Sequence, residues 1–208
     1  MEKVEFLLFI HKPKDHIDRG LLFFTLFAIG LAMLWLGGEE YFSVEALRII
    51  GGLVFGCTWI GYLFFGFYSL SEKERLYGSF TGKLVYSKSS ISVGNIDYLL
   101  SDISKVEIFC GDYDGMKHNY SGYSVTPKVS NGVGNSLLLK LKNGTEKKFN
   151  FQLNYENEFQ KKMRDLLICY HLQEKISFLA LIQHIGISDN YEQIQEFKEQ
   201  LNELKRLN

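Results

Sequence analysis

Few side chains in this 208-residue sequence are suited by type and spacing to chemistry. His11, Asp15, His16 and Asp18 crowd around HKPKDH. Zinc would need four such donors converging, commonly with cysteine among them. No cysteine is near, so this stretch is expected to be a solvated segment, with no metal. Asp112, Asp114 and Gly115 open like a calcium loop. The distal glutamate that closes such loops is missing. The three cysteines, Cys57, Cys110 and Cys169, form no CxxC pair. Cys169 and His171 lie two apart, and such neighbours on a helix point to different sides. No nucleophile elbow, phosphate loop, dinucleotide fingerprint or zinc-protease motif occurs. The expectation is therefore a non-enzyme with no cofactor and no catalytic residue.

Two features suit binding instead. Residues 111–135 carry five Gly and three Tyr with little periodic pattern. Loops this long in a compact domain often serve function, and Tyr with Ser, Asn and Gly makes an adaptable contact surface. Tyr113, Tyr120 and Tyr123 are the candidate anchors for a protein partner. Lys140, Lys142, Lys147 and Lys148 form a second candidate, a basic patch for anionic lipid, interrupted by Glu146. Each such lysine near an anionic surface is worth about 1 kcal/mol. The formal net charge of −1 argues against nucleic acid.

The elements that must position these residues begin with two apolar runs. No Asp, Glu, Lys, Arg or His occurs from Gly20 to Gly38, nor from Ile49 to Ser71. As helices these runs reach about 28 and 34 Å, enough for a hydrocarbon core of roughly 30 Å. Helices about 20–38 and 49–70 are expected to form a transmembrane hairpin spanning 20–71, after an N-terminal cytoplasmic segment 1–19. The first run is longer than a signal-peptide core and lacks an Ala-x-Ala site. Lys and Arg number four before the hairpin, one in its loop, and four (Lys73, Arg75, Lys83, Lys88) just after it. That bias puts both termini in the cytoplasm. Ala28 and Ala32 on the first helix, and Gly52 and Gly56 on the second, are spaced for close helix packing. They would pack the hairpin itself or a homodimer.

From Gly82 the apolar period falls to two. Ile91 and Val93 alternate with serines, Gly94 and Asn95 supply a turn, and Val106, Ile108 and Cys110 share a face. In SLLLKLKNGTEKKFNF, Asn143-Gly144 predicts a type I′ hairpin turn. Asn154 is the expected N-cap of a helix striped by Tyr155, Phe159, Met163, Leu166 and Tyr170. Ile176–Ile187 is too short for a span and predicts a buried helix ended at Gly186. Asp189 with Glu192 predicts the start of a last helix, with Ile194, Phe197, Leu201 and Leu204 as its seam.

This order of elements, with the strand GKLVYSKSSISV, the stretch YLLSDISKVEIF and the KNG hairpin before the helix, resembles bacterial membrane-anchored PH-like domain proteins of the YcxB-like class. The resemblance covers residues 1 to about 173 and implies an α+β membrane protein, a two-helix hairpin followed by an antiparallel PH-like β barrel or sandwich with a C-terminal helix (72–173); beyond it, the spacing of 174–208 itself predicts an αα extension. The resemblance also implies a bacterial inner-membrane protein acting as a binding or scaffold module. The alternatives are an accessory subunit of a membrane enzyme or transport complex, and a homo-oligomeric structural or immunity-type protein. Phosphoinositide binders place a basic cluster at the first hairpin, whereas only Lys83 and Lys88 stand here. That departure argues against phosphoinositide-type lipid.

Overall fold

Alternation of apolar and polar residues already begins at Val4, ahead of both apolar runs. The computed structural model describes residues 3–13, 18–37, 45–118 and 125–207. In it Val4–His11 is strand β1, followed by helices α1 (Arg19–Leu36) and α2 (Glu45–Ser69). Strands β2 (Gly78–Tyr86), β3 (Ser90–Val93), β4 (Ile96–Leu99) and β5 (Ile103–Phe109) come next. Short strands β6 (Asp114–Lys117) and β7 (Val129–Asn131) precede β8 (Asn135–Leu141) and β9 (Glu146–Phe151). Helices α3 (Glu158–Leu172), α4 (Phe178–His184) and α5 (Tyr191–Leu207) complete the order. The chain is thus α+β, with two apolar helices near its start, a mostly antiparallel sheet and C-terminal helices. It divides into two compact units: residues 1–12, 76–116 and 131–208, and residues 13–75 with 117–130.

In the first unit seven strands run in the order β4-β3-β2-β1-β9-β8-β5. The ladder is open, with β4 and β5 as its edges. The strand ahead of the apolar helices therefore lies inside the sheet, a role the sequence reading had not given to residues 1–19. β1 pairs antiparallel with β2 from Val4↔Tyr86 to His11↔Gly78, and with β9 at Leu8↔Phe151. A register shift between Leu8 and Phe9 buries both neighbours. At the strand ends the Lys12 N–H donates to the Tyr77 carbonyl at 2.8 Å. Both apolar helices are thus an insertion between two neighbouring strands.

The core of this unit forms where the sheet meets α3. The Phe6 ring lies 5.9 Å from Tyr86, 5.4 Å from Phe151 and 5.7 Å from Phe159. Phe159, Met163, Leu166 and Tyr170 are buried at helical spacing, as expected, while Tyr155 precedes the helix and is exposed. The buried Tyr170 hydroxyl donates to the Ser87 carbonyl at 2.8 Å. Phe197 and Leu201 of α5 join the same core, so the C-terminal helices dock on the sheet unit.

Three local details differ from expectation. The β8–β9 connection is a three-residue loop in which Gly144 takes φ 82° and Asn143 does not turn left-handed. The Leu141 N–H donates to Thr145 O at 2.9 Å, a geometry of a bulged loop rather than type I′. The N-cap of α3 is Asn157, at φ 61°, not Asn154. Asn154 instead donates its backbone N–H to Glu158 Oε2 at 2.5 Å. For α5, Asn190 rather than Asp189 caps, its Oδ1 accepting from Gln193 N at 3.1 Å.

In the second unit α1 and α2 pack against each other. Rings interlock at Phe27–Phe55 (4.4 Å between centroids) and Phe23–Tyr62 (5.9 Å). Arg19, at the start of α1, grips the Glu72 carboxylate with both guanidinium nitrogens, Nη2 at 2.8 Å. That hydrogen bond holds the Glu72 carboxyl below its usual pKa. The close approach runs through Gly30 and Gly51. A Cβ on Gly51 would sit 2.9 Å from the Leu34 nitrogen, and one on Gly30 3.0 Å from the Phe55 nitrogen. Within the hairpin, then, the close contact does not run through the expected packing residues. Ala28, Ala32 and Gly52 are exposed, and a Cβ on Gly56 would meet nothing within 4 Å. Gly51 and Gly52 differ by about 100° around the helix, which is the reason.

Two tests follow from these packings. Gly51→Leu is expected to lower the heat stability of the detergent-solubilised chain, while Gly56→Leu leaves it unchanged. Glu158 is buried and bonded to Lys162 Nζ at 2.6 Å. Burial raises its pKa, but Lys162 and the Asn154 N–H outweigh burial and hold it below the model-peptide value of 4.5. Its folded pKa is therefore depressed, so the stability it adds is present above pH 4.5 and is lost as pH falls through the folded value. Glu158→Gln should lower the melting temperature at pH 7, with the difference shrinking toward pH 3; a gap independent of pH would contradict the carboxylate's role.

Candidate functional site

A concavity of about 780 Å³ lies in the sheet unit, along β5. Its lining comes from four places: β5 itself, residues 110–116, the approach to α3, and α4. The long 111–135 segment reaches this cavity because its two ends are tied together at a buried asparagine. Asn135 Oδ1 accepts from the N–H groups of Gly111 and Asp112, both at 3.1 Å. Its Nδ2 donates to Asp112 O at 2.8 Å and Gly132 O at 2.9 Å. Asp112 Oδ2 then accepts from Gly134 N at 2.7 Å. Gly132 (φ 70°) has no room for a side chain, since a Cβ would fall 2.1 Å from Leu153 O.

Of the expected tyrosine anchors, Tyr113 is half-buried and lines the cavity. Tyr120 and Tyr123 lie outside the described residues. The middle of the segment, residues 117–130, groups with the helical unit. There the Glu74 N–H donates to Val129 O at 2.8 Å and the Lys128 N–H to Ser69 O at 3.0 Å.

The lysine patch is split by the register. Leu138 opposes Lys148 and Lys140 opposes Glu146, whereas Leu139 opposes Lys147. Lys140 and Lys148 therefore share one face, Lys147 projects from the other, and Lys142 lies in the turn beyond β8. Lys140 is shared between Glu107 and Glu146, each at 3.3 Å.

One chemical pair escaped the sequence reading. Cys110 Sγ lies 3.5 Å from His184 Nδ1, inside the cavity. The two are far apart in sequence, and only the docking of α4 joins them. Burial pushes the Cys110 thiol up to about 11 and moves the His184 imidazole down. Near neutral pH the pair is thus a thiol beside a neutral imidazole, not the thiolate–imidazolium of a nucleophile. His171 and Cys169 find separate partners, Ile176 O at 3.1 Å and Gln173 Nε2 at 3.1 Å. No three His, Cys, Asp or Glu converge on a metal-sized site among the described residues. The cavity presents apolar walls, carboxylates and a strand edge.

Compared with family models, curated proteins and solved structures, the chain matches none. The site is accordingly read from its own geometry.

The thiol gives a direct check. With a pKa of about 11, Cys110 alkylation by iodoacetamide should be slow at pH 7 and rise about tenfold per pH unit up to pH 10. Mass spectrometry of the cysteine peptides reads this. A rate already level at pH 7 would mean an activated thiol.

Proposed function

We propose that this chain is a membrane-anchored binding module whose sheet unit captures a protein partner. The observation that carries the reading is the insertion of the two apolar helices between β1 and β2. The helices are long enough to cross a membrane, yet only 6% and 17% of their most apolar windows are buried. Leu22, Phe24, Trp35, Ile60, Phe64 and Phe67 all face outward. A soluble core helix would bury such residues, and lipid supplies the missing cover. Neither helix carries Asp, Glu, Lys, Arg or His between Gly20 and Leu36 or between Ile49 and Ser69, which favours an anchor over a proton or ion path.

Insertion within one sheet also bears on topology. β1 precedes the hairpin and β2 follows it, so their pairing needs both on the same side of the membrane. Two crossings satisfy this, whereas one crossing does not. Cleavage after a signal peptide would remove β1, leaving Leu84 and Phe151 without their neighbour strand. The lysine and arginine bias, four, one and four across the flanks, favours the cytoplasm for that side, in a bacterial inner membrane if the family resemblance holds. An antiparallel meander from β1 to β4, a return through β9, and α3 closing on the sheet support a PH-like reading of the fold. The neutral Cys110–His184 pair supports binding over catalysis.

Alkaline carbonate extraction of membranes, with an epitope tag ahead of Met1 and a reporter at residue 42 or 208, tests this. The tagged full-length chain should stay in the membrane pellet, with only the residue-42 reporter external. Release into the supernatant, loss of the tag, or an external residue 208 would each overturn the anchor.

A further inference from the structure

β5 is an edge of the sheet, and the cavity runs along it. Which backbone groups face the cavity follows from one hydrogen bond. The Val106 N–H donates away from β8, to the Lys175 carbonyl at 2.8 Å. Strand alternation turns the Ile108 N–H and C=O to that same outer side. Among the described residues no hydrogen bond from outside the sheet meets them. An edge of this kind is a template for another strand, and here a groove walled by α4 limits what can reach it.

Side chains narrow the occupant further. Phe109 and Tyr155 line the groove while remaining 58% and 46% exposed, giving apolar ground for alternate residues of an incoming strand. Glu107 is already held by Lys105 at 2.9 Å and Lys140 at 3.3 Å. Asp112 and Glu156 also line the cavity. Neither has a cation within ion-pair distance among the described residues. Asp112 Oδ1 is buried with no hydrogen-bond partner. Lys175 occupies the same edge at Ile103 and Val106, so the groove pairs the Ile108 end of the strand edge with two carboxylates that have no ion-pair partner among the described residues.

We propose that this groove takes an extended, basic segment of a partner protein, added as a strand to β5, with its Lys or Arg side chains meeting Asp112 and Glu156. This rests on the reading of the chain as a binding module and names what the module binds. Backbone pairing supplies affinity in such strand addition, and the pockets and charges supply selection.

The full chain, purified in mild detergent, is titrated with three fluorescein-labelled octapeptides: KVKVKVKV, DVDVDVDV, and KVKVKVKV with alternate backbone nitrogens methylated. The basic probe should bind, with the acidic and the methylated probes each at least tenfold weaker. Glu156→Lys should reverse the order of the basic and acidic probes without moving the melting temperature. Hydrogen exchange over residues 104–110 should slow when the basic probe is present. Equal binding of the methylated probe, unchanged exchange at 104–110, or no binding of any probe would overturn strand addition. Carbonate extraction reads the anchor separately. A chain retained in membranes that ignores the probes fails only here, and a probe-binding chain released by carbonate fails only as an anchor.

Discussion

The pairing of β1 with β2 constrains everything else in this chain. β1 is eight residues long and cannot stand alone in water. It is held on one flank by β2 along its whole length and on the other by β9 at Leu8 and Phe9. Both partners are made later in sequence, beyond the helices α1 and α2. Closing a loop of that length costs entropy, although the cost grows only about 0.6 kcal/mol per doubling. The packed helices reduce it further. Gly30 and Gly51 let the helix backbones touch, and Arg19 binds Glu72 where the pair begins and ends. What then remains to close is the pair of short connectors, residues 12–18 and 70–77. A defect at the glycine contact therefore reaches the sheet through closure entropy, without touching any sheet residue.

Polar groups fix the seams where these elements meet. Asn135, fully buried, uses both ends of its amide to hold the 111–135 segment against the β8 end. Glu158 takes the backbone N–H of Asn154 and the Lys162 ammonium, so the turn into α3 has a charged knot inside it. Tyr170 ties α3 to Ser87 between β2 and β3. Each removes a buried donor or acceptor that would otherwise be costly. Asn135 and Glu158 hold two of the cavity walls, at residues 111–112 and at the approach to α3.

Periodicity made much of this legible in the sequence. The two apolar helices, the β3–β4 turn, the leucine face of β8 and the stripe of α3 all follow from spacing alone. β1 was missed because its alternation is broken. Val4, Phe6 and Leu8 point inward, and the shift at Leu8/Phe9 then buries Phe9 as well, leaving a run that looks like a prelude to the first apolar helix. Helix faces were misread for a different reason. Spacing identifies a stripe of small residues, but the phase of the partner helix decides which stripe is used, and it selects Gly51 over Gly52. Capping failed where backbone conformation overrode side-chain preference: Asn157 caps α3 in a left-handed conformation with no side-chain bond. Cys110 and His184 meet only through tertiary docking, so no local pattern could have paired them.

β1, which leads in sequence to the apolar helices, and β5, which borders the cavity, belong to one sheet. From β5 through β8 and β9 to β1 there are three consecutive ladders, and β1 runs directly into the connector before α1. Coupling two sites requires an element with two arrangements that each site biases. The described residues show one arrangement of each ladder, with the central strands β1, β2, β8 and β9 packed on a buried core. A strand added at β5 would lengthen the sheet without forcing its middle to move. On the proposed reading, the consequence is a tether: a partner strand held at β5 would be kept beside a membrane-anchored chain, with no change of shape transmitted along the sheet.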